Sequence, residues 1–323
     1  MKHDVKTRWS SEAHYLMTKI VIRLGPRNPV IRTLLRRKCR QHGVAARFSA
    51  IYIELARGKE AIRIAPRHFV YMPEISTHFD TYYLPVVPSE TNGVSLVDYS
   101  QPSLHTYRRS GLQFELAAFP EEDEAIEGYF YWYTPKEGDI VFDIGAHCGI
   151  STYRLAKLVG PSGRVIAFEP DPVNHSILVR NIHRHKLENV TCVKTAISDS
   201  RGTALFNCEG AIGSGLARHL SRATVGTVEK VETMTLADAF TEFGVPSFCK
   251  IDIEGAEISV LASAFETLSK LRVQFALDTN HLVDGSLTNG RVEQEFVKCG
   301  YEVLSLPISG MMTTWARPQG SAG

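Results

Sequence analysis

The run Val141-Phe142-Asp143-Ile144-Gly145-Ala146-His147-Cys148-Gly149 decides the fold. An apolar strand ends in a carboxylate, and a glycine turn then opens a helix, so the backbone can approach a ligand just beyond the strand's carboxyl end. Open α/β sheets bind nucleotides there. The spacing is G-x-x-x-G and lacks the G-x-G-x-x-G dinucleotide fingerprint. Charge points the same way. A pyrophosphate at the helix N-terminus would be repelled by Asp143, whereas S-adenosylmethionine brings a sulfonium and an ammonium that want a carboxylate partner. Taken alone, a glycine turn that merely links strand to helix would look the same.

Outward from this run, strands alternate with helices. Ile140–Asp143, Arg164–Glu169, Val190–Lys194, Phe248–Asp252 and Arg272–Asp278 read as strands, with helices over Ile150–Leu158 and from Asp171-Pro172 toward Lys186. Thr203–Asn207 and Val228–Met234 read as a hairpin-like pair, and Tyr301–Leu306 with Met311–Ala316 as a terminal hairpin joined through Pro307-Ile308-Ser309-Gly310. This order predicts a largely parallel sheet with helices on both faces. Upstream, Ser10 or Ser11 opens a helix carrying Leu16, Ile20 and Leu24, and Asn28-Pro29 opens a second. The second sets Val30, Ile31, Leu34 and Leu35 on one side and Arg32, Arg36, Arg37, Lys38 and Arg40 on the other. Phe48–Leu55, Glu60–Ala65 and His68–Met72 read as short strands. The division is a basic helical arm and small β-containing region over residues 1–120, and a catalytic α/β domain over 121–323.

The chain has 323 residues, a formal net charge of +1 and 44% hydrophobic residues, which exclude a disordered or collagen-like polypeptide. The neutrality is uneven. Residues 1–50 hold 12 Lys/Arg against 2 Asp/Glu, and the remainder holds 24 against 33. The basic helix of residues 28–40 reads either as a contact for an anionic membrane or as a helix packed on its own domain with a solvated basic face. The basic arm lies outside the domain of the glycine turn, so no nucleic-acid partner is expected. No run reaches the roughly 20 apolar residues that span a bilayer, and no secretory signal is read, so a cytoplasmic location is expected. The six cysteines are scattered without zinc spacing and read as reduced thiols.

Further motifs carry chemistry. Glu169, in Phe168-Glu169-Pro170, stands at the end of the second strand, where an acid accepts from both ribose hydroxyls or else serves as a helix-proximal acid. In Ala196-Ile197-Ser198-Asp199, the carboxylate either receives an adenine amino group or holds a turn. Across Lys250-Ile251-Asp252-Ile253-Glu254-Gly255-Ala256-Glu257, strand alternation places Lys250, Asp252 and Glu254 on one side. Glu254 and Glu257 also suit the first turn of a following helix. His281, in Asp278-Thr279-Asn280-His281, lies in the loop after another strand. The stretch Glu209–Gly215 with Arg218 and His219 reads as a lid or as a surface excursion, and Tyr129–Tyr133 as core packing or a roof over the site.

Asp143–Gly149, Phe168-Glu169-Pro170, Ala196–Asp199 and Lys250–Glu257, in this order, resemble the FkbM family of S-adenosylmethionine-dependent methyltransferases over about residues 139–306. The resemblance implies a class I methyltransferase fold, an α/β Rossmann-like, mostly parallel seven-stranded sheet whose last strand is antiparallel. It also implies methylation of hydroxyl oxygens on sugars, glycans or secondary metabolites. Motif by motif it implies that Asp143, Gly145 and Gly149, with Ala146 and His147 in the same turn, hold the methionine portion. Glu169 with Pro170 would hold the ribose, Ala196 and Asp199 the adenine, and the run around Asp252 would border methyl transfer. Two positions depart from the family: His147 stands where Asn is usual, and Asp278 where Glu is common. For a base on the acceptor hydroxyl the candidates are Asp252, Glu254 and His281, in that order, and no metal is invoked. A dinucleotide-dependent oxidoreductase and a non-catalytic scaffold of the same fold are the competing readings.

Overall fold

The computed structural model describes residues 21–121, 125–211, 213–217, 219, 226–308 and 311–320. The helix proposed from Ser10 onward therefore falls mostly outside them, as do Ile212, Arg218 and the turn residues Ser309 and Gly310. The described chain divides into two compact units, one up to residue 121 together with Gly226, the other from residue 125 onward.

The second unit is built on a seven-stranded sheet. Its strands are β1 (Ile140–Ile144), β2 (Arg164–Phe168), β3 (Val190–Val193), β4 (Phe248–Ile251), β5 (Gln274–Asp278), β6 (Tyr301–Ile308) and β7 (Met311–Pro318), in the order β3-β2-β1-β4-β5-β7-β6. The pairs from β3 to β5 are parallel, whereas β7 runs antiparallel to both β5 and β6. The sheet is thus mixed, with β7 the reversed strand. Its order turns back between β1 and β4, the kind of place where open α/β sheets take ligands.

Both faces are covered, which is why the strands read as nearly unbroken apolar runs. On one face Val141, Val165, Phe248 and Trp315 meet Leu155, Ala156 and Val159 of α1 (Ile150–Val159) and Leu178 and Ile182 of α2 (Pro172–Arg184). On the other, Phe142, Ile144, Phe168, Ile251 and Phe275 meet Leu236 and Phe240 of α3 (Leu236–Phe243). The same face receives Val260 and Leu261 of α4 (Glu257–Ser263) and Val292 and Phe296 of α5 (Asn289–Lys298). The aromatic run joins the first face: Tyr133 stacks on Phe248, and the Trp315 indole N–H donates to the Tyr129 carbonyl at 3.0 Å. It is core packing. A smaller sheet sets Ala196–Ile197 and Gly202–Cys208 on either side of Thr227–Met234.

The first unit carries a five-stranded sheet and the helix Pro29–Arg40, capped by the Asn28 side chain. Two expectations are corrected here. Phe48–Leu55 is not one strand, because Ser49 turns the chain between Ala45–Phe48 and Ile53–Arg57 through its hydroxyl. His68–Met72 is not a strand, because Pro66, with φ already set for a helix, opens a short helical segment over Pro66–Tyr71. The apolar stripe of the basic helix is also split. Ile31, Leu35 and Cys39 are buried, while Val30 and Leu34 face outward. Arg32 and Arg36 lie over the Phe48 ring.

All six cysteines are free. Among the described residues no helix is long and apolar enough to cross a membrane.

Candidate active site

The glycine turn between β1 and α1 is shaped by its neighbours in the sheet. Gly145 has φ +83°, and a Cβ there would lie 1.9 Å from the Asp252 carbonyl oxygen, so only glycine lets the chain leave β1 past the end of β4. Gly149, at φ +90°, would set a Cβ 2.6 Å from Leu178, so it admits α2 against the start of α1. These two close approaches are internal to the protein. His147 between them is buried and also left-handed, at φ +48°. Ala146 is buried in the core face.

Asp143 is fully buried and already has partners. Its Oδ2 accepts from the Ser151 and Thr152 hydroxyls of α1 at 2.7 and 2.6 Å, and its Oδ1 lies 3.3 Å from Lys250 Nζ. Lys250 also donates to the Gly145 carbonyl at 2.8 Å, so a buried ion pair ties β4 to the glycine turn. The sequence reading matched Asp143 to a cationic ligand. In the structure its counter-charge comes from within the chain.

Glu169 closes β2 with 5% of its surface exposed. Its Oε2 accepts the His147 N–H at 2.8 Å and its Oε1 the Asp171 N–H at 2.9 Å. Each carboxylate oxygen therefore keeps acceptor capacity for a further donor. Burial pushes its pKa up to about 7, with the Asp171 carboxylate adding to the rise and the His147 ring and the two N–H groups opposing it. Pro170 is buried beside it. Asp171 caps α2 and uses its second oxygen on Gly210 N–H and the Ser214 hydroxyl. The glycine-rich stretch is fastened to the start of α2 at Gly210 and Ser214. Ala196 and Ile197 are buried, and the half-buried Asp199 takes the Ser198 and Ser200 hydroxyls, the turn-holding arrangement.

The second group gathers beyond β4 and β5. Strand alternation does not carry Glu254 to the side of Lys250 and Asp252, because β4 ends at Ile251 and Glu254 turns the chain at φ +57°. His281 nevertheless draws the carboxylates together. Its Nδ1 lies 3.0 Å from Glu257 Oε1, and its Nε2 lies 3.6 Å from Asp252 and 3.9 Å from Glu254. Glu257 is fully buried and also takes the Ile253 and Gly255 N–H groups. Burial raises its pKa, but the charge and hydrogen bond of His281 outweigh that and hold it below the ordinary carboxylate range. Burial alone would lower the His281 pKa. Glu257, Glu254 and Asp252 reverse that and raise it well above the ordinary imidazole value. Asp278, nine-tenths buried, is pushed up to about 6 by burial and the nearby Asp252 charge. His219 reaches the same turn, with Nε2 3.3 Å from the Ser259 hydroxyl.

Sequence reasoning leaves Lys250 without a role and reads Glu257 only as suited to the first turn of a helix, where it does stand in α4. A lysine inside an otherwise apolar strand was the signal for the first. Nothing local marks the pairing of the second, whose partner lies 24 residues downstream.

The family described as the methyltransferase FkbM domain matches residues 143–303, which include both groups. The chain is 31% identical over 182 residues to 31-O-demethyl-FK506 methyltransferase FkbM of Streptomyces tacrolimicus, covering 47% of this chain and 69% of that protein. The chain belongs to the FkbM methyltransferase family. It is also 31% identical to 2-O-methyltransferase NoeI of Sinorhizobium fredii, over 42% of this chain and 62% of that protein. A solved FkbM methyltransferase from Methylobacillus flagellatus is similar at a TM-score of 0.44 and 15% identity, covering 59% of this chain and 47% of that one. Family membership decides for a methyltransferase over a dinucleotide enzyme, and S-adenosylmethionine is the cofactor.

The residues present fit that cofactor. The acceptor capacity left on Glu169 suits a ribose diol, and the negative balance around Asp252 suits a sulfonium. Asp143 pairs with Lys250, which in turn donates to the Gly145 carbonyl of the turn.

Proposed function

We propose that this enzyme is a class I methyltransferase that moves the methyl group of S-adenosylmethionine to a hydroxyl oxygen of a sugar, glycan or secondary metabolite. The observation that carries the reading is the convergence of Asp252, Glu254 and His281 beyond β4 and β5, directly beside the Gly145 turn. Both curated relatives carry O-methyltransferase names, which supports the same chemistry. The cofactor supplies a methyl group already activated by a positively charged sulfur, so the protein's task is to align an acceptor oxygen and receive its proton.

In this reading Glu169 and Pro170 hold the ribose side. Ala196 and Asp199 border the adenine, and Gly145, Ala146, His147 and Gly149 shape the turn under the methionine portion. Asp252 and Glu254, partly open to solvent, are the carboxylates that take the proton. His281, kept positively charged by Glu257, positions them and does not act as the base. The test is transfer of labelled methyl from S-adenosylmethionine to a panel of glycans, lipid-linked sugars and small metabolites, with the new methyl located by mass spectrometry. An oxygen-bound methyl is expected. A nitrogen- or carbon-bound product, or a protein that binds neither S-adenosylmethionine nor S-adenosylhomocysteine, would overturn the reading.

The basic helix Pro29–Arg40 completes the proposal. It exposes Val30 and Leu34 beside Arg37, Lys38 and Arg40 and carries no acidic residue. Apolar side chains set among cations suit shallow insertion into an anionic surface. The enzyme would thus work in the cytoplasm, on or near a membrane, without nucleic acid as partner.

A further inference from the structure

Asp252, Asp278 and His281 each offer one ligand atom, and these atoms lie within 4.8 Å of one another. Donors held roughly 2.1 Å from one cation lie roughly 3–4 Å apart, so the set closes on an ion with side-chain movements of a few tenths of an ångström.

Two observations separate this group from an ordinary acidic patch. Asp278 is nine-tenths buried and aimed into the group, yet the Asn280 N–H, at 2.7 Å, is the one hydrogen bond that the described residues give it. A buried carboxylate of that kind wants a cation. His281 is also oriented as a ligand would be. Oε1 of the fully buried Glu257 lies 3.0 Å from Nδ1 as an ion-pair contact, and Nε2 faces Asp252 at 3.6 Å, beyond hydrogen-bond distance. Metal-binding imidazoles characteristically spend their second nitrogen on a carboxylate in this way. The charge balance agrees, because Asp143, Asp252, Glu254, Glu257 and Asp278 outnumber Lys250 and His281 even with both cations counted.

We infer that Asp252, Asp278 and His281 bind one divalent cation, with Glu257 fixing the imidazole. Two carboxylates and an imidazole suit Mn2+ or Zn2+. The ion's role rests on the proposed O-methyl transfer. An acceptor hydroxyl ligated to it would become more acidic, its proton passing to Glu254. Binding of the ion by itself does not depend on that reading. His281 then acts as a ligand with Nδ1–H on Glu257, and positive charge at this position comes from the ion.

The test uses the full chain stripped with chelator and titrated with Mn2+, the free ion being followed by electron paramagnetic resonance. One Mn2+ per chain is expected, with nitrogen coupling from an imidazole in the pulsed spectrum and displacement by Zn2+. Asp278→Asn and His281→Gln should each weaken binding at least tenfold, and the nitrogen coupling should vanish in the second. Binding of S-adenosylhomocysteine, measured in parallel by calorimetry, separates the two readings. A wild-type chain that binds S-adenosylhomocysteine but no Mn2+ overturns the cation site and leaves the methyltransferase reading intact. Mn2+ binding without imidazole coupling, or unchanged in both variants, also overturns it. Mn2+ binding in a chain that does not take S-adenosylhomocysteine would sustain the site while removing the proposed role.

Discussion

Replacing Asp143 by Asn tests what the buried Asp143–Lys250 pair does. Asn nearly matches the shape but removes the charge, leaving the buried Lys250 beside the Gly145 carbonyl at 2.8 Å, Asp252 at 4.0 Å and the Tyr129 ring. At the observed 3.3 Å the Asp143–Lys250 attraction is about 5 kcal/mol for an effective dielectric of about 20. Both groups are desolvated, so the measurable loss is smaller. Broken buried pairs cost about 3–5 kcal/mol, and the remaining partners of Lys250 put the expectation near the lower end. For a unit of this size, about 3 kcal/mol corresponds to a fall in Tm of roughly 6–12 °C. The assay is thermal unfolding of Asp143→Asn, Lys250→Met and the double variant, with S-adenosylhomocysteine affinity measured on each. The double variant should be less destabilised than the two single losses added together, by at least about 2 kcal/mol. A Tm within about 2 °C of wild type, together with a tenfold loss of cofactor affinity, would refute the reasoning. The carboxylate would then serve the ligand and not Lys250.

Three further outcomes follow from particular contacts. Glu169 has its pKa raised to about 7 in the folded chain, so it holds a proton there that the unfolded chain has released. Its contribution to stability is therefore present below about pH 4.5 and is lost as pH rises toward and through 7, by roughly 3 kcal/mol in all. Glu169→Gln should flatten Tm against pH over this window, and wild-type affinity for S-adenosylhomocysteine should rise through pH 7 as the carboxylate forms. An equal slope in both proteins would contradict this. Gly145→Ala forces a Cβ onto the Asp252 carbonyl at positive φ and should cost about 3 kcal/mol or more, seen as a Tm drop or insolubility. Replacing Arg37, Lys38 and Arg40 by Gln should release the protein from phosphatidylserine vesicles in a sedimentation assay. Equal sedimentation of wild type and variant, or none by either, would remove the proposed surface contact.

Much of the sheet was legible because its order is written in local chemistry. Each parallel strand is buried on both faces and so reads as a short apolar run, and the turn after β1 requires glycine where the chain passes Asp252. The ends of strands were likewise marked by Asp143, Glu169 and Asp252. In the first unit Ser49 and Pro66 misled the reading, because a hydroxyl-held turn and a proline-started helical segment interrupt runs whose apolar content resembles strand.

The sequence by itself determined the α/β order and the family motif, since both depend on residue types at fixed short spacings. Only the tertiary structure decided which charges meet. Lys250 answers Asp143 across two neighbouring strands, and His281 reaches Glu257, Asp252 and Glu254 from the loop after β5. Electrostatic partners are chosen by distance and burial in space. Two carboxylates that look alike in a line of sequence, such as Asp143 and Asp252, therefore end in different roles, one buried against a lysine and the other partly open beside a histidine.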